Sequence, residues 1–399
     1  MKDSPNSGWV EKQLGEVVTV TKTKGGSRPL PYVGLEDISS GGTGEFTGSL
    51  EPQGDKSTTF EFGPWHLLYG RLRPYLNKVY RPDFEGHCSS EIFPMLPDEC
   101  LDRGYLFHWI TSDQVVEKIN TTSTGARMPR ANVKEILQFP IPLPPLEEQQ
   151  RIVAVLDEAF EGLARARAHA EANLQHAREL FENYREEFLA PSTRQGWLHR
   201  KLDDLITIKH GFAFKSAFFV DQGQYAVLTP GNYHETGGFR DRGEKQRYYS
   251  GEFPAEFLLK KDDLLMAMTE QAPGLLGSCM IVPEDDGFLH NQRLGLIAPK
   301  AGVAWSPEYF AQAFNLRAFR KGLSDTCSGA TVRHTSPGRI LAESIPYSDD
   351  LAELEVAALD LVEREQDCRN LESAYHTKLQ DLGDLRQSIL QKAFASELT

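Results

Sequence analysis

Four short stretches of the sequence place arginine, lysine or histidine beside glycine, proline and tyrosine. They are "RLRPYLNKVYR" (71–81), "GARMPR" (125–130), "FRDRGEKQRYY" (239–249) and "ATVRHTSPGR" (330–339). Loops of this composition can bond DNA phosphates and place arginine on guanine edges. The candidate DNA-binding residues are Arg71, Arg73, Lys78, Arg127, Arg130, Arg240, Arg242, Lys245, Arg247, Arg333, His334 and Arg339.

Each charged cluster also has an ordinary explanation as a solvated surface. Two of them, 125–130 and 330–339, occupy matching places in an internal repeat, and this match makes DNA binding an equal alternative. Asn232, Asn291 and Gln292 could read adenine through paired hydrogen bonds. For these three side chains, however, a role in a turn or at a strand edge is the favoured interpretation.

Sequence motifs for catalysis are missing. The chain has no GxxxxGK[ST] phosphate loop, no HExxH and no Gly-x-Ser-x-Gly elbow, and it lacks the Asn/Asp-Pro-Pro-Tyr motif of amino-methyltransferases. The five cysteines show no CxxC spacing, which favours reduced thiols in a cytoplasm. His87 and Cys88 are neighbours and would point to opposite faces of a strand, so no metal site is expected. A binding or scaffold protein is favoured over an enzyme.

Composition indicates a soluble protein of at least two domains. The chain has 399 residues, of which 40% are hydrophobic, and its apolar runs are too short for a membrane span. The start, "MKDSPNSGW", does not resemble a secretory signal. The net charge is -14, but more than half of it lies in 341–399. The near-neutral remainder can therefore still carry a DNA-facing surface, and we expect a more basic partner to help hold DNA.

An internal repeat organises the chain. "GWVEKQLGEVVTV" (8–20) matches "GWLHRKLDDLITI" (196–208), and "STGARMPRANVKEILQFPIP" (123–142) matches "CSGATVRHTSPGRILAESIP" (327–346). The sequence therefore predicts two repeats of similar architecture. They comprise residues 1–190 and 191–399.

The first part of each repeat has a mixed pattern. Short runs such as "GEVVTV", "LLYGRLRPYLNKVY", "YAVLTP" and "GSCMIVP" are typical of strands and turns. Helical spacing runs through 105–120 and 307–323. The globular parts are therefore predicted to be α+β.

The second part of each repeat has the heptad spacing of a coiled-coil seam. Each predicted helix of ~43 residues would be roughly 65 Å long, and neither could bury its apolar stripe alone. We expect the two to pair antiparallel within one chain; the alternative is that each packs on its own domain. Cys368, Leu371, Leu379 and Leu385 accompany this spacing. The predicted helix-pairing residues are Phe160, Leu163, Leu174, Phe181, Tyr184, Phe188, Leu354, Leu361, Tyr375, Leu382 and Ile389.

Four stretches carry a family resemblance. "FPIPLPPLEEQQRIVAVLDEAF" (139–160) closely resembles the junction between a target-recognition domain and a long helix in the specificity subunits of type I restriction-modification systems. "LRQSILQKAFASEL" (385–398) is similar to the end of the second helix of that family. "GRLRPYLNKVY" and "KDDLLMAMTEQAPGLLGSCMIVP" look like strand motifs of its recognition domains. The second junction, "SIPYSDDLAELE", departs from the pattern because it lacks Pro-Pro and Glu-Gln, which leaves its geometry open.

The resemblance implies a fold, partners and a division of labour. The expected fold is α+β, with two repeated target-recognition domains separated by a pair of long antiparallel coiled-coil helices. Each recognition domain would read one half of a split, asymmetric double-stranded DNA target, and the helices would set the gap. The expected domains are 1–145 and 191–347 for recognition, with spacer helices at 146–190 and 348–399.

The same resemblance implies that this chain has no catalysis or cofactor of its own. Two modification subunits that use S-adenosylmethionine would dock on it and methylate adenine, and restriction subunits would use ATP and Mg²⁺. Two alternatives stay open at this stage. The chain could be a coiled-coil adaptor that binds no DNA, or a self-contained DNA-modifying enzyme.

Overall fold

The structure is a computed structural model that describes residues 8–24, 28–53, 59–125, 127–190, 192, 194, 196–271, 273–329 and 331–395. Residues 1–7, Ala126, Ala272, Ala330 and 396–399, which belong to stretches quoted above, lie outside the described residues.

The chain divides into two compact units. Unit 1 comprises residues 1–171 together with 376–399, and unit 2 comprises 172–375. Both dividing lines fall inside long helices, so each helix contributes one half to each unit. The four-part domain division expected from the sequence stays a prediction.

Two of the helices are far longer than the rest. They are α5, Leu146–Phe188, with 43 residues, and α10, Leu351–Phe394, with 44. In the described part of the chain, no helix combines the length and the apolar character that a membrane crossing requires. The other helices are α1 Leu14–Val17, α2 Arg103–Ile110, α3 Asp113–Thr121, α4 Val133–Ile136, α6 Leu202–Leu205, α7 Pro307–Ala313, α8 Arg317–Thr326 and α9 Pro337–Ala342.

Unit 1 holds two four-stranded sheets, in the orders β2-β9-β6-β7 and β4-β3-β8-β5, and a two-stranded sheet of β1 and β10. Its strands are β1 Val10–Gln13, β2 Val18–Val20, β3 Leu30–Val33, β4 Pro52–Gln53, β5 Thr59–Phe62, β6 Leu67–Gly70, β7 Val79–Tyr80, β8 Gly86–Ser89, β9 Ile92–Pro97 and β10 Pro140–Leu143.

Unit 2 repeats this arrangement with the orders β12-β20-β16-β18 and β13-β15-β14-β19, the pair β11-β22 and an added pair β17-β21. Each unit contains one parallel pair, β3 with β8 and β14 with β19. The strands of unit 2 are β11 Leu198–Lys201, β12 Ile206–His210, β13 Phe219–Val220, β14 Tyr225–Leu228, β15 Tyr248–Tyr249, β16 Leu264–Ala267, β17 Thr269–Glu270, β18 Cys279–Ile281, β19 Phe288–His290, β20 Leu294–Pro299, β21 Arg333–His334 and β22 Ser344–Tyr347.

Two segments that the spacing of apolar residues predicted as single helices each form two shorter helices. Residues 105–120 lie in two helices, α2 and α3, because Thr111 and Ser112 donate their hydroxyls back to the carbonyls of Phe107 and Trp109. Segment 307–323 likewise divides into α7 and α8. "GEVVTV" is only half a strand, since its first residues belong to the short helix α1.

The two anchors of each repeat are partners in one small sheet. Val10 of β1 pairs with Leu143 of β10, and Leu198 of β11 pairs with Tyr347 of β22. Pro140 and Pro142 cannot donate backbone hydrogen bonds, and a two-stranded sheet tolerates them because both of its strands are edges. The start of each repeat is therefore bonded to the strand that leads into its long helix.

In unit 1 the first half of α5 and the last half of α10 share one buried core. Leu156 of α5 and Leu390 of α10 are both fully buried in it, and Ile152 and Ala393 lie beside them. Full burial of a leucine side chain stabilises a fold by about 1.5–3 kcal/mol. The guanidinium of Arg386 lies 4.7 Å from the ring centroid of Phe160, which adds a cation–π contact between the helices.

In unit 2 the other two halves pair. The hydroxyl of Tyr184 donates to Asp360 at 2.5 Å, and Arg178 forms an ion pair with Glu372 at 3.0 Å. The expected seam residues fall into two groups. Phe181, Leu354 and Leu361 are buried, whereas Phe160, Leu163, Leu174, Tyr184, Phe188, Tyr375, Leu382 and Ile389 are half-buried.

Two leucines expected beside the seam lie outside it. Leu371 is 41% exposed and Leu385 is 48% exposed, so the prediction that they lie beside the helix-pairing seam is wrong. An α-helix of 3.6 residues per turn drifts from a strict seven-residue repeat, so a residue beside the seam moves out of it over successive turns.

The first junction is fastened by one buried amide. Gln149 is fully buried; its Oε1 accepts from the backbone N–H of Asp102 at 2.8 Å. Its Nε2 donates to the carbonyls of Cys100 and Pro144, both at 2.9 Å. The helix start, the proline segment and the loop before α2 are thereby bonded together.

The second junction uses different chemistry at the same place. Counted from the first residue of each long helix, Leu354 corresponds to Gln149, and it packs in the core. The neighbouring Glu353 instead accepts from the indole N–H of Trp197 at 2.9 Å and from the hydroxyl of Ser348 at 2.7 Å. The geometry that the sequence left open is thus a carboxylate bridge rather than an amide bridge.

Candidate nucleic-acid interface

In unit 1 the cationic stretches 71–81 and 125–130 meet at a narrow hairpin. Thr124 and Arg130 exchange two backbone hydrogen bonds, at 3.0 and 3.1 Å, and Arg130 also pairs with Leu72 just beyond β6. The turn passes through Gly125 with φ +100°, where a Cβ would lie 3.2 Å from the carbonyl oxygen of Met128. Glycine thus permits the turn that closes this hairpin, which we call hairpin 1 (124–130).

One carboxylate connects the strand end to hairpin 1. Glu91 accepts from Nε of Arg71 at 2.9 Å, and from Nε and a terminal nitrogen of Arg130 at 3.1 and 2.9 Å. Partial burial raises the pKa of Glu91, but the hydrogen bonds from Arg130 and Arg71 outweigh it, so the pKa lies below its ordinary value. Glu91 is therefore a fixed anion between two cations.

The other cationic side chains near hairpin 1 differ in whether neighbouring residues bind them. Arg73 and Arg127 have exposed side chains, and neither makes an ion pair with the residues that the structure describes. Lys78, in contrast, donates to the carbonyl of Leu35 at 2.6 Å. Arg71 also lies 5.4 Å from the ring centroid of Phe93, with Lys22 at 5.7 Å from the same ring. A cationic surface therefore surrounds hairpin 1.

Unit 2 places an equivalent hairpin at the matching position. Ser328 and His334 exchange two backbone hydrogen bonds, at 2.9 and 2.8 Å, and His334 pairs with Thr269 beyond β16. Gly329 has φ +101°, like Gly125 of unit 1. Arg339 donates to the hydroxyl of Ser328 and to the carbonyl of His334, which holds the base of this hairpin. We call it hairpin 2 (328–334).

A buried carboxylate also fastens hairpin 2. Glu270 is 3% exposed and pairs with Arg333 at 3.0 Å. Its second oxygen accepts from the backbone N–H groups of Gly274, Leu275 and Leu276, at 2.8 to 3.1 Å. Arg333 donates further to Ser324. The guanidinium of Arg333 is thus largely engaged inside the protein.

The remaining cluster, 240–247, occupies a separate loop of unit 2. Arg240 and Lys245 have exposed side chains. Arg242 donates to the hydroxyl of Thr229 at 3.5 Å, and Arg247 pairs with Asp221 at 2.7 Å. Within the described part of the chain, no hydrogen bond or ion pair joins this loop to hairpin 2.

Of the three amide side chains considered for adenine contacts, Asn232 is fully buried. Its side chain accepts from the backbone N–H of Thr229 and donates to Gln246 at 2.7 Å, so the favoured turn role is the one observed. Asn291 accepts from the N–H of Arg293, as in a turn, and Gln292 is exposed.

Sequence reasoning missed the two carboxylates that organise the hairpins. Glu91 is 20 and 39 residues from its two arginines, and Glu270 is 63 residues from Arg333. No local spacing indicates such pairs; the only signal was a lone acidic residue beside an apolar strand.

The structure offers no metal site in the part of the chain that it describes, since no three His, Cys, Asp or Glu side chains cluster suitably there. His87, considered above with Cys88, instead faces the carbonyl of Arg28, at 3.2 Å from its Nε2.

Comparison with known proteins finds a family match for part of unit 1. Residues 69–169, which include hairpin 1 and the first junction, match the family described as "Type I restriction modification DNA specificity domain". The EcoDI type I restriction enzyme specificity subunit of Escherichia coli is 30% identical over 162 residues, which are 39% of this chain and 35% of that protein. The EcoBI specificity subunit of the same organism is 25% identical over 210 residues, or 52% of this chain and 40% of that protein. The chain therefore aligns with well under two thirds of the length of these curated relatives.

Solved structures share the fold over nearly the whole chain. A chain from a study of complex assembly and conformational transition of the type I R-M system superposes with a TM-score of 0.81 at 20% identity, covering 98% of this chain and 99% of that one. The HsdS subunit from Thermoanaerobacter tengcongensis gives a TM-score of 0.59 at 20% identity, covering 98% of each chain. The expected α+β fold with two long helices is thereby confirmed.

The family match over residues 69–169 and the similarity to two curated specificity subunits confirm the resemblance that the junction segment carries. The solved structures show that the fold extends over nearly the whole chain.

Proposed function

We propose that this chain is the DNA sequence-specificity subunit of a type I restriction-modification complex. Unit 1 and unit 2 each read one half of a split target, and the two halves differ in sequence. The observation that carries the proposal is the pair of hairpins, 124–130 and 328–334, which stand at matching places of a duplicated fold with cationic side chains on both. Arginine, lysine and histidine on such loops can bond both phosphates and base edges.

The difference between the halves follows from the side chains at matched positions. The backbone N–H of Arg71 donates to the carbonyl of Glu91 in unit 1. In unit 2 the backbone N–H of Met268 donates to the carbonyl of Arg293 in the same way, so Met268 corresponds to Arg71 and Arg293 to Glu91. Arg130 of hairpin 1 corresponds to His334 of hairpin 2 by the same register. One unit therefore presents two arginines around a glutamate where the other presents a methionine, an arginine and a histidine. Such different donors support an asymmetric target.

The chain acts in this proposal without catalysis of its own. Two modification subunits dock on the long helices and methylate adenines with S-adenosylmethionine, and restriction subunits supply ATP- and Mg²⁺-dependent translocation and cleavage. The helices set the gap between the half-targets. Their antiparallel pairing inside each unit supports this scaffold role, because the Tyr184–Asp360 and Arg386–Phe160 contacts join the two helices to each other.

The test is to co-express the chain with its modification subunit and to map methylated adenines across a genome. We expect two different short half-targets with a fixed gap. A continuous or palindromic motif would contradict the proposal. Purified alone with S-adenosylmethionine, ATP and Mg²⁺, the chain should leave DNA unaltered; altered DNA would favour the self-contained enzyme.

Charge-removing variants separate the proposal from the adaptor alternative. Arg127→Ala with Arg130→Ala, and separately Arg333→Ala with Arg339→Ala, should change target choice or affinity. Because Arg333 and Arg339 also hold hairpin 2, the second pair is judged on preparations whose hydrogen exchange over 268–278 and 324–340 matches wild type. Arg28→Ala is the matched control, because Arg28 lies in unit 1 in an exposed ion pair with Glu85. If both double variants behave like the control, the chain does not read DNA through its hairpins.

A further inference from the structure

Glu91 binds two arginines, which differ in how many of their N–H groups remain unbonded. Arg71 contacts the carboxylate only through Nε, at 2.9 Å. Both terminal nitrogens of Arg71 are without a partner among the residues that the structure describes, and its side chain is 31% exposed. Arg130 instead uses Nε and one terminal nitrogen on the same carboxylate, so two of its five N–H groups are engaged, against one in Arg71.

This difference bears on the base contact that each side chain can make. Two neighbouring nitrogens of one guanidinium match the O6 and N7 acceptors of guanine, and such a paired contact is the commonest specific arginine contact in the major groove. Arg71 keeps all four N–H groups of its terminal nitrogens for this contact, whereas Arg130 has already committed one of its four to Glu91. Arg71 is therefore the better equipped of the two to read a guanine.

Glu91 makes that fork rigid. A free arginine side chain has many rotamers, whereas a carboxylate bond at Nε and the Phe93 ring 5.4 Å from the guanidinium carbon fix the orientation of Arg71. Fixing a side chain beforehand reduces the entropy that binding must remove. The neighbouring Arg73 and Arg127 are exposed and have no such support, which suits phosphate contacts at variable geometry.

We propose that Arg71 reads a guanine in the half-target of unit 1 through its two terminal nitrogens, and that Glu91 is the residue that positions it. This inference rests on the proposed function and goes further, because it assigns base and phosphate contacts to individual side chains. Unit 2 cannot make the same contact, since Met268 is buried at the position of Arg71 and Arg293 replaces Glu91.

The test compares Arg71→Lys, Arg71→Ala and wild type in the assembled complex with the modification subunit. Genome-wide methylation mapping first gives the wild-type target, and competition binding then uses duplexes with each G·C pair of both halves replaced by A·T. Lysine keeps the charge but lacks the fork. We expect Arg71→Lys to lower the preference for G over A at one position of one half by roughly 5- to 150-fold, with the other half unchanged.

Glu91→Gln probes the positioning role, because it keeps Arg71 but replaces one acceptor oxygen by an N–H₂ group that repels a guanidinium. We expect relaxed discrimination at the same position, and partial rescue by Glu91→Asp, which keeps a carboxylate. Arg28→Lys and Glu85→Gln are the matched controls from an exposed pair of the same unit and should leave every position unchanged.

The outcomes separate this inference from the proposed function. A wild-type target that is not split would refute the proposed function itself. A split target with unaltered discrimination in Arg71→Lys, or with a uniform loss of affinity in Arg71→Ala and a salt dependence reduced by about one counterion, would make Arg71 a phosphate contact and overturn the inference. Should Arg71→Lys prevent assembly, Glu91→Gln decides: unchanged discrimination there also overturns it.

Discussion

The buried amide of Gln149 offers a quantitative test of how the first junction is held. Gln149→Leu keeps a side chain of similar volume and imitates Leu354 at the matching place of unit 2. It leaves the N–H of Asp102 and the carbonyls of Cys100 and Pro144 without their partner. A buried polar group that loses its hydrogen bond costs about 1–3 kcal/mol, and water can reach the half-buried Cys100 and Asp102. We therefore expect unit 1 to lose about 3 kcal/mol of local stability.

Hydrogen exchange followed by mass spectrometry measures this loss in the full-length chain. A local destabilisation of about 3 kcal/mol raises exchange through local opening by roughly 100-fold. The effect should be confined to peptides that cover 98–106 and 143–156, while peptides of 344–360 in unit 2 exchange as in wild type. Local exchange is preferable to a global melt, because a chain with two compact units need not unfold in two states.

Two further variants make the result specific. Gln175→Leu changes the same residue type on the same helix at an exposed position, where the amide donates only to Glu179; it should leave exchange unchanged. Leu354→Gln introduces an amide into the core of unit 2 and should destabilise that unit instead. If Gln149→Leu exchanges like Gln175→Leu, the amide bridge does not fasten the junction.

Three other predictions concern single side chains. Glu353→Leu removes the bonds from Trp197 and Ser348 and, at this exposed site, should raise exchange near residues 196–204 by the equivalent of about 1 kcal/mol. Glu270→Ala leaves Arg333 without its anion and the N–H groups of 274–276 without their acceptor, so hydrogen exchange of peptides covering 268–278 should rise; a rise equal to that of Glu270→Gln would contradict a role for the charge. Burial lowers the pKa of His108 from 6.5, so the folded chain binds this proton less readily than the unfolded one. Above pH 6.5 His108 is neutral in both states and costs the fold nothing. As the pH falls below 6.5, the unfolded chain takes up the proton first and the folded chain loses stability. The thermal midpoint of wild type should therefore drop more than that of His108→Gln between pH 7.5 and 5.5.

The sequence predicted the features that arise from local pattern. The extended proline segment and the two long helices each have periodic or compositional signals that one stretch of chain carries by itself. "PIPL" at 140–143 is a strand, and the helix begins at Leu146, directly after Pro144 and Pro145. Glu147 and Glu148 in its first turn suit the positive end of the helix dipole.

Features that depend on distant pairs escaped prediction. Arg71, Arg130 and Arg333 were identified as cations, but their glutamate partners come from other strands and have no spacing signal. Leu371 has the same residue type as Leu361, yet only Leu361 faces the core, because the seam follows the actual helix geometry and the globular surfaces that pack on it. Residue type therefore identified the candidate surface, and tertiary pairing decided which side chains remain available on it.

The division of unit 1 between two distant parts of the chain has a consequence for biosynthesis. Unit 2 is one continuous segment, 172–375, and can close as soon as it has left the ribosome. The core of unit 1 cannot, because Leu390 and Ala393 cover Ile152 and Leu156 and are translated more than two hundred residues later. The unit that is synthesised first is thus the last to be completed. A premature stop that removes only residues from 376 onward would leave an apolar surface on unit 1, and such truncated chains should be substrates for chaperones and proteases.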